Sequence, residues 1–263
     1  MRATLFLIPF FFLACSSNDS LKNPAPERSD EKVVVSFSGE VDMMNRMVEI
    51  DALVEQAGNV ATSLNYMKSD GAFVKVLAHL SKENVIMKIE EQFSDGADRT
   101  NGKVIYYMND GKPFLTQELL DEANGTSHRF VDRVSFYNKA GKVVKTKERS
   151  GLYQEETEQL AYRAVRFHAV SIDRAMRALN AKGEFETTFQ GFVNEGPLLY
   201  LVVGENKEDG YTSALKCDFQ DQLLKQLSKN SLQQLGKKVS VSFVVEEDQG
   251  SVYQIYTGGN WAK

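Results

Sequence analysis

The side chains best suited to catalysis or metal binding are dispersed along this sequence. His79, His128 and His168 fall on three different predicted elements, and none has a second ligand at the helical spacing of a zinc site. Asp132 shares a predicted strand face with His128, but about 13 Å of strand separates the two residues. We therefore expect neither a zinc ion nor a histidine general base.

Two other patterns match a reactive site only in part. Ser213 and Lys216 have the spacing of a Ser-x-x-Lys nucleophile pair, but that motif needs a helix and a strand is predicted here. Asp95, Asp98 and Asn101 offer oxygen ligands for calcium, yet the twelve-residue loop pattern and its closing glutamate are missing. Glycine motifs that bind phosphates or dinucleotides are absent. The sequence predicts no catalytic residue, no cofactor and no metal site.

Cys15 stands at the end of a stretch that is typical of a secretory leader. Met1 and Arg2 form a basic start, and an unbroken apolar run extends from Leu5 to Ala14. A run of about ten residues is too short to cross a bilayer, since a membrane-spanning helix needs about twenty. The polar residues Ser16 to Ser20 follow the cysteine.

This junction resembles the lipobox of bacterial lipoproteins, in the relaxed form found among Bacteroidetes. Leu13-Ala14-Cys15 carries the resemblance, with Phe12 where leucine is usual. It implies that Cys15 is acylated with a diacylglycerol, that the leader 1–14 is removed and that the new amino group takes a third chain such as palmitate. Ser16 in place of aspartate implies outer-membrane sorting, on the periplasmic or the cell-surface face. The alternative is an ordinary signal peptide that is cut near Ala14.

Composition limits the possible partners. The chain has 263 residues, 31 Lys and Arg against 36 Asp and Glu, and a formal net charge of −5. It lacks the broad positive field that non-specific nucleic-acid binding requires, so we expect no nucleic-acid partner. Cys15 and Cys217 are its two cysteines, which cannot form a disulfide framework. We expect Cys217 to behave as a small buried hydrophobe.

The mature chain is predicted to be α+β, with a polar tether at 15–32 and two domains at 33–182 and 183–263. The first domain is predicted to be an antiparallel meander sheet. It opens with a short strand at 33–35 and a helix at 41–57, whose methionines are core filler more often than a ligand groove.

The turns Asn109-Asp110-Gly111 and Asn138 to Gly141 predict two hairpins in this sheet, because these residues accept positive φ. Residues 154–181 are predicted to form one long helix that covers the sheet, with acidic residues at its start and Gly183 after its end. The apolar stripe of this helix consists of Leu160, Ala164, Phe167, Ile172, Ala175, Met176 and Leu179.

The second domain has the element order of a small barrel. Three strands predicted within 184–217 precede a helix at 218–235 and two strands within 239–256, which is the order of an OB-fold. This part resembles the OB-like domains of exported bacterial proteins in element order and length. The resemblance implies a five-stranded barrel, and the alternative is another α+β domain with a five-stranded sheet. Its net charge of −4 argues against a nucleic-acid groove.

Two classes of function follow. The first is a non-enzymatic, outer-membrane-anchored binding or scaffold module, whose partners are the membrane through Cys15 and a protein, a glycan or an apolar ligand. In one variant, the meander forms an open half-barrel similar to the periplasmic lipoprotein carriers. The second is a cell-envelope hydrolase whose carboxylates come together only in the fold. The lack of a catalytic pattern in the sequence favours the first class.

Overall fold

The computed structural model of the chain describes residues 36–96, 100–124, 127–248 and 251–262. It is mainly β, with 49% strand and 21% helix, so the α+β class that the sequence predicted is wrong. The leader, Cys15, the tether and the strand predicted at 33–35 lie outside the described residues.

Strands dominate the described part of the chain. The strands are β1 (Val60–Thr62), β2 (Tyr66–Met67), β3 (Phe73–Leu80), β4 (Ile86–Ser94), β5 (Asn101–Asn109), β6 (Lys112–Asn124), β7 (Ser127–Tyr137), β8 (Val143–Gly151), β9 (Arg163–Ala164), β10 (Thr188–Glu195), β11 (Leu198–Gly204), β12 (Thr212–Lys216), β13 (Val239–Asp248) and β14 (Ser251–Trp261). The helices are α1 (Glu40–Ala57), α2 (Gln154–Gln159), α3 (Asp173–Leu179), α4 (Gln222–Lys229) and α5 (Ser231–Gln234), with a 3₁₀ turn at Gly183–Phe185.

The described strands form one mixed sheet that is not closed. Its main path runs β10-β11-β12-β2-β3-β4-β5-β6-β7-β8-β9, with β1 beside β3, and with β14 and β13 branching from β12. All named pairs are antiparallel except β12 with β14, where Lys216 lies opposite Ile255. The branch arises because one edge of β12 has two partners. Thr212 pairs there with Met67 of β2, and Lys216 pairs with β14.

The two predicted hairpin turns are confirmed. Between β5 and β6, Asp110 and Gly111 have φ angles of 50° and 72°, as the favoured two-residue hairpin turn requires. Between β7 and β8, Gly141 has a φ of 77°, and the Asn138 side chain accepts a hydrogen bond from the Lys142 amide at 3.0 Å. Turn geometry fixes the register of these strands, and the register decides which side chains share a face.

The predicted helix at 41–57 is confirmed as α1, which covers one face of the sheet. Met43 and Ile50 are buried in a cluster with side chains from β5, β6 and β7. Met44 and Met47 pack against the same cluster, so the methionine stripe is core as expected. We call this side of the sheet the α1 face.

The long helix predicted over 154–181 is wrong. Short helices α2 and α3 occupy its two ends, and residues 160–172 between them are not helical. Leu160 and Phe167, which the helical stripe would place in the core, are 45% and 71% exposed. The 3.6-residue spacing of the stripe already fails between Phe167 and Ile172. The sheet also offers the backbone of this stretch other hydrogen-bond partners.

We call residues 160–172 the strap. Its strand β9 extends the sheet beyond β8, with Ala164 opposite Lys147. The strap then crosses the face opposite α1 and reaches α3, whose Ala175 and Ala178 are buried in the main hydrophobic cluster. We call this side of the sheet the strap face.

The predicted small OB-like five-stranded barrel is also wrong. The order of three strands, helix and two strands is present as β10 to β14, but these strands belong to the large open sheet. In the described residues, β10 meets the start of β13 at an isolated bridge of Thr188 with Lys238 rather than along a ladder. Part of the β12 edge pairs with β2, which joins these strands to the meander.

One hydrophobic core extends across the predicted boundary at Gly183. Phe189 and Leu201 share a cluster of buried side chains with Val74 and Val76. Such a core couples the two halves energetically, because its burial is lost if either half unfolds. The division into two domains stays a prediction about independent folding.

The helix predicted at 218–235 is shorter than expected. Leu223 and Leu227 of α4 are buried. Phe219 and Leu235, near the two ends of the predicted helix, lie outside α4 and α5 and are each 47% exposed. The N-cap residue Asp221 starts α4, because its carboxylate accepts the Leu224 amide at 2.9 Å.

Candidate functional site

A row of hydroxyl side chains crosses the strap face. The strand register places Tyr106, Thr116, Ser135 and Thr146 opposite one another on β5, β6, β7 and β8. All four side chains are buried. Buried polar groups need hydrogen-bond partners, and the strap provides several of them.

The centre of the strap is bound at His168. Its backbone amide donates a hydrogen bond to Thr146 Oγ1 at 3.0 Å, and its carbonyl accepts one from Ser135 Oγ at 2.8 Å. The two hydroxyls lie 3.1 Å apart. Two neighbouring strands therefore hold both polar groups of one strap residue, and the strap needs no helix to satisfy its backbone there.

The strap is fixed again where it approaches α3. The Val170 amide donates to the Tyr137 hydroxyl at 3.1 Å, and the Tyr106 hydroxyl lies 3.1 Å from the Ser171 carbonyl. Burial is the main cause that raises the pKa of Tyr106. Its phenol consequently keeps its proton far above neutral pH, and this one proton is shared between the Ser171 carbonyl and the Glu91 carboxylate.

Beside the hydroxyl row lies a row of charges. Glu118, Arg133 and Glu148 are opposite one another on β6, β7 and β8, with side chains 8%, 12% and 16% exposed. Arg133 contacts Glu118 at 3.2 Å and Glu148 at 2.8 Å. His168 Nε2 lies 3.3 Å from Glu118 Oε2. His168 of the strap therefore contacts the same carboxylate, Glu118, as Arg133 does.

A second buried carboxylate lies under α3. Glu91 on β4 is 1% exposed and accepts a hydrogen bond from the Tyr106 hydroxyl at 2.9 Å. Arg174 of α3 forms an ion pair with the same carboxylate, and its guanidinium lies 4.5 Å from the centre of the Phe93 ring. This pair joins α3 to the sheet next to the point where the strap ends.

The α1 face has its own buried carboxylate near the strap. Asp132 is 4% exposed and accepts hydrogen bonds from Gln117 at 2.9 Å, from Arg149 at 2.8 Å and from the Tyr162 hydroxyl at 2.6 Å. Burial, followed by the bond to Asp132, raises the pKa of Tyr162. Tyr162 therefore holds the start of the strap on one side of the sheet and His168 holds its centre on the other.

These carboxylates have the contacts of structural ion pairs. A hydrolytic carboxylate pair must face a common substrate, whereas the Arg133 guanidinium occupies the position between Glu118 and Glu148. A buried ion pair depends on both partners, because removal of one leaves an uncompensated charge. The arrangement favours a role in holding strands β6, β7 and β8 and the strap together.

A shallow groove with an apolar floor lies at the opposite end of the sheet. It encloses about 320 Å³ between the β10–β11 hairpin and α4, which is near the lower end of ligand-site volumes. Leu224 in its wall is 1% exposed. The groove is lined by Phe192, Asn194, Leu199, Gln220, Leu224, Ser228 and Ser231. Its lining has three apolar side chains and four amides or hydroxyls, which is more polar than the usual lining of a small-molecule site.

The three histidines lie apart, as the sequence predicts. His79 on β3 lies 3.5 Å from Glu90, His128 on β7 lies 3.0 Å from Asp121, and His168 is on the strap. Each contacts a different carboxylate. No group of three side chains that could bind a metal is found in the residues that the structure describes.

The other predicted candidates are also separated. Ser213 lies on β12 and donates to the Gln254 side chain at 2.9 Å, whereas Lys216 pairs with Asp218 at 3.2 Å. The strand geometry that argued against a nucleophile pair is confirmed. Cys15 and Asp98 lie outside the described residues.

Cys217 at the end of β12 is partly buried, and its side chain packs against the main hydrophobic cluster. Burial raises the pKa of the Cys217 thiol. It therefore resembles the small hydrophobe that the sequence analysis expected rather than a reactive thiolate.

Sequence reasoning missed the hydroxyl row and the charged row. Ser135 lies between apolar neighbours, but Thr146 lies between two lysines and Thr116 between a leucine and a glutamine, so no shared local pattern marks the three residues. The signal that was available is their common register, which the two hairpin turns determine. Three polar residues opposite one another on a face that must be buried indicate a chain segment lying across them.

Searches against family models, curated proteins and solved structures gave no match for this chain. Among the described residues, no helix has the length and apolar character needed to span a membrane.

The charged row predicts a large effect of Arg133→Met on stability. The variant leaves Glu118 and Glu148 buried without their shared cation, so we expect the free energy of unfolding to fall by about 3–5 kcal/mol. Arg46→Met is the matched control, because Arg46 makes an exposed pair with Glu49 and should cost less than about 1 kcal/mol. Urea unfolding measures both values. Equal losses for the two variants would contradict the structural role of the row.

Proposed function

We propose that this chain is an exported protein anchored to the outer membrane by lipid at Cys15, where it acts as a non-enzymatic binding or scaffold module. The observation that carries the proposal is the position of Cys15 at the junction between an apolar leader and a polar stretch. A thioether-linked anchor requires a cysteine at this position. Several acyl chains together hold a soluble domain on a membrane, because each buried CH₂ contributes about 0.8 kcal/mol.

The scaffold role is supported by how the strap face is used. In a half-barrel carrier, one face of the sheet stays open to receive the ligand. Here the strap, α3 and the side chains of β10 to β12 cover much of that face. A sheet that is covered by its own chain is suited to presenting surfaces to partners rather than to enclosing a large acyl chain.

A smaller apolar ligand has a different place to bind. The groove between α4 and the β10–β11 hairpin could take a short apolar group against Leu199 and Leu224, with Asn194 and Ser228 at its rim. This second candidate function, a binding module for a small amphipathic ligand, rests on the groove's volume and mixed lining.

The alternative to a binding module is a cell-envelope hydrolase with a carboxylate pair. Glu118 and Glu148 are the strap-face carboxylates that share a single contact residue, Arg133. Because Arg133 pairs with both carboxylates, a structural role is favoured over a catalytic one. For this reason we prefer the non-enzymatic function.

Replacement of Cys15 tests the anchor. Because the thiol is the acceptor for the diacylglycerol, Cys15→Ser should abolish labelling by a palmitate analogue and leave the leader uncut. Cys217→Ser is the matched control and should be labelled like the unaltered chain. Metabolic labelling followed by mass measurement of the N-terminal peptide gives both readouts. Equal labelling of both variants, or cleavage near Ala14 with a free thiol, would exclude the lipoprotein.

The groove predicts the behaviour of co-purifying ligands. Ser228→Phe fills the rim of the groove from an exposed position, so a ligand bound there should be lost. Lys229→Phe places the same side chain on the same helix outside the lining residues and should retain the ligand. Native mass spectrometry of protein isolated from membranes measures the bound mass. A ligand that both variants retain, or a wild-type chain that carries none, would exclude this groove as the binding site.

A further inference from the structure

The edge of the sheet at β8 and β9 exposes apolar side chains. Val144, Val165 and Phe167 are 47%, 38% and 71% exposed. They come from two segments that lie side by side, since the Val165 amide donates to the Thr146 carbonyl at 3.1 Å. Phe167 directly precedes His168, whose amide binds the side chain of Thr146, two residues from Val144. The three residues therefore belong to one exposed strip.

Exposed positive charges accompany this strip. Arg163 and Arg166 of the strap and Lys142 of the β7–β8 turn are exposed, and none forms an ion pair within the described residues. Other cations of β8 are already engaged, since Lys145 and Lys147 both bind Glu40 of α1. Arg163, Arg166 and Lys142 therefore offer positive charge next to the exposed apolar side chains.

The same end of the molecule receives the chain that comes from Cys15. Ser36, the first described residue, accepts a hydrogen bond at 2.7 Å from Lys139 in the β7–β8 turn. Lys142 belongs to this turn. Twenty residues separate Cys15 from Ser36, and the backbone of twenty residues can reach at most about 66–72 Å. A lipid at Cys15 would thus lie within reach of the exposed strip.

We propose that this β8–β9 patch, formed by Val144, Val165 and Phe167 with Lys142, Arg163 and Arg166, rests on anionic lipid headgroups of the membrane that holds Cys15. The inference rests on the proposed lipid anchor. Arginine and lysine pair with lipid phosphates, and an exposed phenylalanine enters the boundary between headgroups and acyl chains. Contact would orient the sheet, with β9 towards the membrane and the β10 edge away from it.

A fluorescence experiment on the membrane-anchored protein tests this orientation. Phe167→Trp in a Trp261→Phe background puts the single indole in the patch, and Val193→Trp in the same background puts it on exposed β10 at the other end of the sheet. Both proteins are reconstituted in vesicles of phosphatidylglycerol and phosphatidylethanolamine that contain brominated lipid. We expect a blue shift and strong quenching for F167W and neither for V193W.

Charge reversal tests the contribution of the two arginines to membrane contact. Arg163→Glu with Arg166→Glu should weaken the vesicle contact at least about tenfold, since each basic residue near an anionic surface contributes about a factor of five. The quenching of F167W should fall accordingly, and phosphatidylcholine vesicles should give the same loss. Circular dichroism of the variants checks that the sheet is intact.

The outcomes separate the patch from the anchor. If mass measurement finds no acyl chain on Cys15 of the isolated protein and F167W is still quenched, the patch is supported and the lipid anchor is excluded. Normal acylation with equal quenching at positions 167 and 193, or with none at either, would overturn the patch. An acidic protein that co-purifies with the chain and is lost on charge reversal, without lipid quenching, would also overturn it in favour of a protein partner.

Discussion

The arrangement of this protein depends on which groups form hydrogen bonds with the backbone of the strap. A chain segment that crosses a sheet face cannot join the ladder, so its amides and carbonyls need other partners or they pay the cost of burial. Thr146, Ser135 and Tyr137 provide those partners to His168 and Val170. The hydroxyls in turn avoid being buried without hydrogen bonds.

Ion pairs neutralise carboxylates on both sides of the sheet. On the strap face, Arg133 bridges two buried carboxylates. On the α1 face, hydrogen bonds from Lys145 and Lys147 hold the pKa of Glu40 below its ordinary value. A lowered pKa in the folded chain contributes stability that is present above the ordinary carboxyl range and is lost as the pH falls. Acidification therefore weakens the attachment of α1 to β8.

The sequence predicts the structure correctly where one local signal decides it. Turn residues such as Gly111 and Gly141 determined the hairpins, and the helix predicted at 41–57 is α1. The prediction was wrong at the strap, where apolar residues such as Phe167 suggested a helix. Hydrogen bonds between the strap backbone and hydroxyl side chains of the sheet favour a non-helical conformation there. The prediction was also wrong for the barrel, because the pairing of Thr212 with Met67 joins residues that are far apart in sequence. The lipid anchor at Cys15 remains a prediction from the local sequence.

Hydrogen exchange at the strap shows whether side chains of the sheet hold its backbone amides. In the described structure, the amides of His168 and Val170 donate to Thr146 and Tyr137, whereas the amides of Arg166 and Phe167 have no such partner there. Residue-resolved exchange by NMR should show His168 and Val170 protected at least about a hundredfold more strongly than these two neighbours. Equal and rapid exchange at all four amides would contradict the account, because the strap would then not be bound to the sheet.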